Sequence, residues 1–427
     1  MKILLTHVYT AKNKGDAGIV SGMLKRIREE WKGASIELSS MEKQDHNPFL
    51  SEGARTISSF FYEAIYTSSS FFVRILRTLI IVFTSTIAAF SYKFFGHQGF
   101  NLAYPRSSRT ILRSYQEADI IIAVGGCYLR GDNSLRSYTT IILQLHSIMI
   151  GIILGKPVYL YSQSIGPFAS TFQGWLVARV LNQTELIFAR EQITQNLLDE
   201  IGVNKRLVKK GIDAGFLLEN NDKQFGSKYL NRKGIIGKNI IGVSVRNWLQ
   251  ADKQIRYEHE IAKTVDSITK DKESFVVFIP QVTARDQNDD DRLVAERVYK
   301  SIKNKKQAIL INEELTHFQI KSIYSTLSCL IGTRMHANIF TLSTQVPVIA
   351  ISYEHKTDGI MKGLGLSQWV VPIAEVESKE LITLYKKLNM HKTKYLKHLN
   401  LVIPEMIKQA EIPMTIIKKH WEGSSAK

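Results

Sequence analysis

The chain has 427 residues, of which 56 are Lys or Arg and 39 are Asp or Glu, for a formal net charge of +17. That length exceeds what one hydrophobic core usually supports, and a hydrophobic share of 44% is ordinary for a folded protein, so two globular domains are expected and a disordered or fibrous chain is excluded. The basic surplus favours an anionic partner, either a lipid surface or phosphorylated small molecules. Nucleic acid is not expected, because the Lys and Arg residues are spread rather than gathered beside aromatics. The two cysteines, Cys127 and Cys329, lie far apart in apolar segments, and no residues have zinc-ligand spacing. A cytoplasmic chain without disulfides or metal follows as the expectation.

In chain order, Lys2 to Val8 reads as a strand, Tyr9 to Asp16 as a loop, and Ala17 to Trp31 as a helix with Ile19, Met23, Leu24 and Ile27 on one face. Asn13, Gly15 and Asp16 stand before that helix, where Asp16 is expected to cap the first turn and Gly15 to let the backbone bend. Ser35 to Ser39 closes a βαβ unit. Residues 45–110 then interrupt the alternation with an aromatic insertion punctuated by Arg74, Arg77 and Lys93. Its longest charge-free run, between Arg77 and Lys93, is fifteen residues, short of a spanning helix, so residues 56–95 are expected to associate with a membrane surface; helices buried against the domain or a partner subunit are the competing reading.

The alternation resumes with a strand Asp119 to Val124, ending in Gly125 and Gly126, whose backbone is expected to approach a ligand. Helix Tyr138 to Gly151, strand Pro157 to Gln163, helix Phe172 to Leu181, strand Leu186 to Arg190, helix Glu191 to Ile201 and an extended piece containing Gly211-Ile-Asp213 follow. Glu219 to Asn239 is the expected linker. A second series begins at strand Ile240 to Val245, followed by Arg246-Asn-Trp248. It continues through strand Phe275 to Ile279, helix Asp291 to Ile302, strand Ala308 to Ile311 and helix His317 to Leu327. Cys329 to Tyr353 then reads as strand, loop, helix, strand. Ligands collect at the carboxyl ends of parallel strands, and a following helix offers unpaired N–H groups. Arg334 and His336 fall there: a planar cation that grips phosphate or carboxylate, and an imidazole that moves a proton. On this stretch alone, a surface Arg and a helix-capping His fit equally well. Thr357 to Leu364 is a helix, Trp369 to Ile373 the last strand, and Ser378 to His420 a helical, Lys-rich tail.

The expected architecture is therefore α/β, with two doubly wound Rossmann-like domains facing a cleft: residues 1–225, carrying the insertion, and 226–378, followed by a basic tail over 379–427. With these residues assembled, the chain resembles the polysaccharide pyruvyl transferase family. The likeness rests on Asn13-Lys-Gly-Asp16, Asp119-Ile-Ile-Ile-Ala-Val-Gly-Gly126, Gln163-Ser-Ile-Gly-Pro167, Ala189-Arg-Glu191, Gly211-Ile-Asp213, Gly242-Val-Ser-Val-Arg246, Gly332-Thr-Arg-Met-His336 and Tyr353-Glu-His-Lys356, in that order over most of the chain. Cys127 after the glycine pair, and Ala-Gly-Phe after Asp213, depart from the family pattern.

The resemblance implies the glycosyltransferase B type of fold and transfer of pyruvate from phosphoenolpyruvate onto a sugar hydroxyl pair as a ketal, with no cofactor beyond that co-substrate. Such chemistry needs cations for a carboxylate and a phosphate, and a proton for the methylene carbon. Arg334, Arg246, Lys356 and Arg190 are the candidate cations, with Tyr353 beside them. His336 is the favoured acid or base, with Tyr353 and Asp16 behind it. Asn13, Gly15, Asp16, Gly125, Gly126, Gln163 and Asp213 are the expected acceptor-side or cleft residues. A lipid-linked sugar acceptor, with the enzyme peripheral on the inner membrane face, would suit the basic surplus. Two rivals are a nucleotide-sugar glycosyltransferase, for which Glu354 is the candidate ribose ligand, and a non-catalytic scaffold of polysaccharide assembly.

Overall fold

A computed structural model describes residues 1–42, 49–67, 70–235, 237–284 and 289–425; part of the expected insertion (45–48 and 68–69) lies outside them. The chain forms two compact units. One comprises Met1–Thr10, Ile19–Ala214 and Gln409–Lys427, the other Ala11–Gly18 and Gly215–Lys408.

In the first unit the strands are β1 (Lys2–Val8), β2 (Ser35–Ser40), β3 (Ala54–Ser58), β4 (Ile120–Ala123), β5 (Val158–Gln163), β6 (Leu186–Ala189) and β7 (Val208–Lys210). They form one sheet in the order β3-β2-β1-β4-β5-β6-β7, every pair parallel. Helices cover both faces of such a sheet, so its central strands are apolar throughout; Ile120, Ile121, Ile122 and Ala123 are all buried. The helices are α1 (Lys14–Glu30), of which Lys14–Gly18 counts with the second unit, α2 (Phe60–Ile65), α3 (Phe71–Phe95), α4 (Arg106–Glu117), α5 (Leu135–Ile153), α6 (Thr171–Leu181) and α7 (Gln192–Glu200).

The second unit has a parallel sheet in the order β12-β9-β8-β13-β14-β15, from β8 (Asn239–Ser244), β9 (Ser274–Phe278), β12 (Ala308–Leu310), β13 (Cys329–Gly332), β14 (Val348–Ser352) and β15 (Val370–Pro372). A short antiparallel pair, β10 (Thr283–Ala284) with β11 (Asp289–Asp290), stands beside it. Its helices are α8 (Phe225–Arg232), α9 (Ala251–Ile268), α10 (Asp291–Ser301), α11 (His317–Tyr324), α12 (Met335–Ser343), α13 (His355–Gly363) and α14 (Ser378–Met390). The last helix, α15 (Lys392–Ser425), runs from this unit into the first, where the Tyr161 hydroxyl donates to Ala410 O at 2.9 Å and Lys418 Nζ to Glu30 O at 2.6 Å.

Several local expectations are corrected. Residues 54–58 do not break the alternation: they add the parallel edge strand β3, whose polar residues, including exposed Arg55, hide it from a hydrophobicity pattern. The linker expected over Glu219–Asn239 contains α8, seated on α11 by Gly226 N donating to Ser322 Oγ at 2.9 Å. Helix α1 begins at Lys14, and its first N–H groups are taken by Asn13, whose Oδ1 accepts from Gly15 N at 3.0 Å; Asp16 instead accepts from Asn13 Nδ2 at 2.7 Å. Asn13, not Asp16, is the cap. Gly15 lies inside the helix, and its backbone has no positive φ, so it provides no bend.

Helix α3 runs 25 residues and is long and apolar enough to cross a bilayer by length and composition alone, because the charge-free run between Arg77 and Lys93 is only part of it. Its buried positions are small or branched: Thr78, Ile81, Ser85, Ala88 and Ala89. Ser85 Oγ pairs with Nε2 of buried His146 on α5 at 2.8 Å. Burial pushes the His146 imidazole down to about 3. The unfolded ring takes its proton near pH 6.5, and the folded one does not. The unfolded state therefore binds more protons between these values, and stability is lost as pH falls below about 6.5. His146→Leu is expected to flatten the acid limb of the unfolding free energy, read by urea titration at each pH, by up to about 1.4 kcal/mol per pH unit.

Candidate functional site

In the second sheet the strand order reverses between β8 and β13, which pair with Ser244 opposite Gly332. A ligand site in an open α/β sheet sits at such a switch point, beyond the carboxyl ends of the strands. The next residues there are Val245-Arg246 and Thr333-Arg334. Thr333 N donates to Ser244 O at 3.0 Å, and the Tyr257 hydroxyl is 2.7 Å from Thr333 Oγ1, so both loops are held at the sheet edge.

The two arginines have different surroundings. Arg334 is buried and caps α12, and its whole guanidinium is engaged. Nε donates to the two Asp291 oxygens at 3.0 and 3.1 Å, Nη2 to Asp291 Oδ1 at 2.6 Å and to Asp289, and Nη1 to Asp289 Oδ2 at 3.4 Å. Asp291 also accepts from Gln281 N and Val282 N at 3.0 and 2.9 Å. Burial pushes the Asp291 carboxyl up, while Arg334 and the backbone donors pull it down; at Asp289, less deeply placed, burial is outweighed by Arg334 and the carboxyl is held below its usual range. Burial opposes the charge on Arg334, and the two carboxylates raise its pKa. Neither aspartate was a sequence candidate. The run Asn288-Asp-Asp-Asp-Arg292 reads as the acidic start of a helix, and its pairing with a residue more than forty positions later is tertiary.

Arg246 is half-buried and packs beside two rings that touch each other, their centroids 4.8 Å apart and their planes inclined at 57°; its guanidinium carbon is 4.5 Å from the Trp248 centroid and 4.4 Å from that of Tyr353. Among the described residues it forms no ion pair. The ring contacts use none of its N–H donors, and among the described residues Nε is buried without a hydrogen-bond partner. Lys356 is buried and pairs with Glu354 at 3.1 Å, at the start of α13.

His336 is half-buried in the first turn of α12, its ring 6.2 Å from Phe340. The segment Ala11–Gly18 is brought to it. Lys14 N donates to Gln281 O at 3.0 Å, Thr283 N to Lys12 O at 2.9 Å, and Lys14 Nζ pairs with Glu314. A methyl built on Gly15 would lie 2.1 Å from His336 Nδ1, so glycine is required at 15 by the imidazole and not by backbone conformation. Asn13, Gly15, Asp16 and His336 thus belong to one unit.

Arg190, Asp213, Gln163, Gly125 and Gly126 form a separate group in the first unit. Arg190 is buried, with Nε donating to Glu191 Oε1 and Nη1 to Asp213 Oδ2, both at 2.7 Å, and Nη2 donating to Ser164 Oγ. Gln163 Nε2 donates to Val124 O at 3.0 Å. A Cβ on Gly126, whose φ is 154°, would lie 2.3 Å from the Tyr128 phenol, which donates to Gly125 O at 2.9 Å, and one on Gly125 would lie 3.0 Å from Tyr161 O. Gly126 makes room for a tyrosine of its own loop, and Gly125 for the neighbouring strand. Among the described residues no cluster of His, Cys, Asp and Glu has the arrangement of a metal site.

Residues 13–355 match the description of polysaccharide pyruvyl transferases, and the chain belongs to that family. A curated relative is the amylovoran biosynthesis protein AmsJ of Erwinia amylovora, 24% identical over 392 residues that cover 90% of each chain. Among solved structures, HepE of Anabaena in complex with UDP and glucose aligns with a TM-score of 0.58 at 12% identity, covering 100% of this chain and 99% of that one. The UDP-GlcNAc 2-epimerase of Neisseria meningitidis bound to UDP-GlcNAc aligns at 0.60 and 12%, covering 98% and 99%. At such identities the likeness shows the fold alone, the two-domain α/β type of glycosyltransferase B proteins.

Two outcomes follow from the second-unit geometry. Asp291→Ala leaves a buried guanidinium short of its main partner and should cost about 3–5 kcal/mol in urea unfolding. Gly15→Ala should move the His336 imidazole resonances, assigned by their loss in His336→Asn, because ring or helix must shift to admit the methyl.

Proposed function

We propose that the chain transfers pyruvate from phosphoenolpyruvate onto a pair of sugar hydroxyls as a ketal, in assembly of an exopolysaccharide. Family membership and the amylovoran relative support a transferase of polysaccharide synthesis. The observation that carries the donor assignment is Arg246, a guanidinium held beside Trp248 and Tyr353 at the β8/β13 switch point, which forms no ion pair among the described residues. A small dianion or trianion suits that position, because a planar donor edge matches a phosphate or carboxylate.

In the reaction the two sugar oxygens form bonds to C2 of the enol phosphate, the methylene carbon takes one hydroxyl proton to become methyl, and the C2–O bond to phosphate breaks, with the second proton leaving on inorganic phosphate. Arg246, with Lys356 as a second cation, holds the donor's charged groups. His336 passes the proton to or from the reacting atoms. Arg334 acts as a positioning residue: its hydrogen bonds are spent on Asp289 and Asp291, and it fixes the first turn of α12, where His336 stands. Arg190 is assigned the same kind of role in the first unit, ordering Ser164, Glu191 and Asp213.

The nucleotide-sugar reading draws on the UDP-containing complexes of the fold neighbours. Its expected ribose ligand, Glu354, pairs with Lys356 at 3.1 Å, a contact that either reading must open. Calorimetric titration separates the two. Saturable binding of phosphoenolpyruvate by the wild type is expected to weaken at least about tenfold in Arg246→Ala, with the loss of two cation–ring contacts lowering stability by no more than about 1–2 kcal/mol. Binding of UDP-glucose with indifference to phosphoenolpyruvate would overturn the proposal.

A further inference from the structure

Helix α3 carries a second surface that the transfer reaction does not use. Phe72, Leu76, Leu79, Phe83, Phe90 and Phe94 are all exposed, Phe72 at 80%, Phe83 at 67% and Phe94 at 83% of their full surface. At 100° per residue these positions, three, four or seven apart, fall within an arc of about 60°, and the buried set Thr78, Ile81, Ser85 and Ala88 is centred about 180° away. The helix therefore has two apolar sides, of which the unit covers one. The covered side is built of small residues and locked by the Ser85–His146 pair at 2.8 Å. The uncovered side, on a helix about 37 Å long, is far larger than the scattered apolar residues of an ordinary surface.

The occupant of that side is indicated by charge. Residues 64–116 contain Arg74, Arg77, Lys93, Arg106, Arg109 and Arg113 and no Asp or Glu at all. Helix seams between protein chains are flanked by charges of opposite sign, and this segment offers a second copy no acid to set against its cations. A surface of anionic phosphates opposes the cations and accepts the phenyl rings together. Tyr104, 62% exposed, is tied to the same helix through Thr84, whose hydroxyl bonds Tyr104 O and accepts from Tyr104 N at 3.1 Å, adding an aromatic of the type found at membrane interfaces.

We propose that the outer side of α3 docks the protein on an anionic lipid surface, the helix lying in the plane of the interface. It does not cross the bilayer, because crossing would strip Ser85 and Thr78 from the interior of the first unit and leave the His146 ring facing lipid. This inference stands apart from the donor chemistry, and donor binding is unaffected by its failure.

The test is flotation of the full chain with vesicles of phosphatidylcholine alone or with phosphatidylglycerol, in about 0.1 M and 1 M salt, where the screening length falls from about 10 to 3 Å. Binding to the anionic vesicles that weakens in high salt, and weakens at least about tenfold in Phe72→Ser/Phe83→Ser/Phe94→Ser, is the expected result; tenfold is the effect of one well-buried phenyl. These side chains are exposed, so the triple variant should unfold at the wild-type midpoint. Phe83→Trp supplies a reading free of any loss of folding: its added emission should shift to the blue with anionic vesicles. Failure to float, equal binding to uncharged vesicles, or a dimer in sedimentation velocity that the triple variant abolishes would each overturn the proposal, the last by placing a second copy on this face.

Discussion

A guanidinium taken out of water is tolerable only when carboxylates come with it, and this constraint organises both units. Each places an arginine within two residues of the end of a parallel strand, Arg190 after β6 and Arg334 after β13, and brackets it with two acids from the same unit. Neither acid pair is local in full: Asp213 lies past β7, and Asp289 and Asp291 stand at β11 and the start of α10. The loops that carry them are therefore fixed relative to the sheet edge by charge as well as by packing. In the second unit the consequence reaches the chemistry, because the residue two positions after Arg334 is the imidazole. A pair that contributes little net stability can still set where a neighbouring side chain points.

The contrast between Arg334 and Arg246 separates structure from function among residues that look alike in sequence. Both follow apolar strands, both are permanent cations, and both fall at the switch point. One is enclosed by carboxylates and the other by aromatic faces. Carboxylates satisfy the donors of a guanidinium; rings hold its plane and leave the donors unspent. Only the second arrangement keeps binding capacity for an incoming anion.

Much of the architecture was legible because strands buried on both faces are continuous apolar runs, and Ile120–Ala123 or Val348–Ser352 cannot be read otherwise. Arg55 in an edge strand obscured β3, and the polar composition around α8 hid a helix that is stabilised by its contact with α11 rather than by its own periodicity. For the site, position was readable and role was not. The motif placed Arg334 and His336 at a strand end, but Arg334's partners are remote in sequence. Gly15 was visible as a glycine, yet its reason is a ring that belongs to a helix more than three hundred residues later. Trp248, two residues from Arg246, was within local reach, whereas Tyr353 met it only through the fold.

The first unit is assembled from both ends of the chain: its sheet is complete by Lys210, but Ala410, which accepts from the buried Tyr161 hydroxyl, and the rest of Gln409–Lys427 arrive after the whole second unit. At ribosomal speeds of about 5–20 residues per second, residues 215–408 take about 10–40 s to emerge. For that interval the nascent first unit waits without its final helix, with the surface around Tyr161 uncovered. Its completion thus follows synthesis of residues 215–408, and the second unit has time to fold before the first one closes.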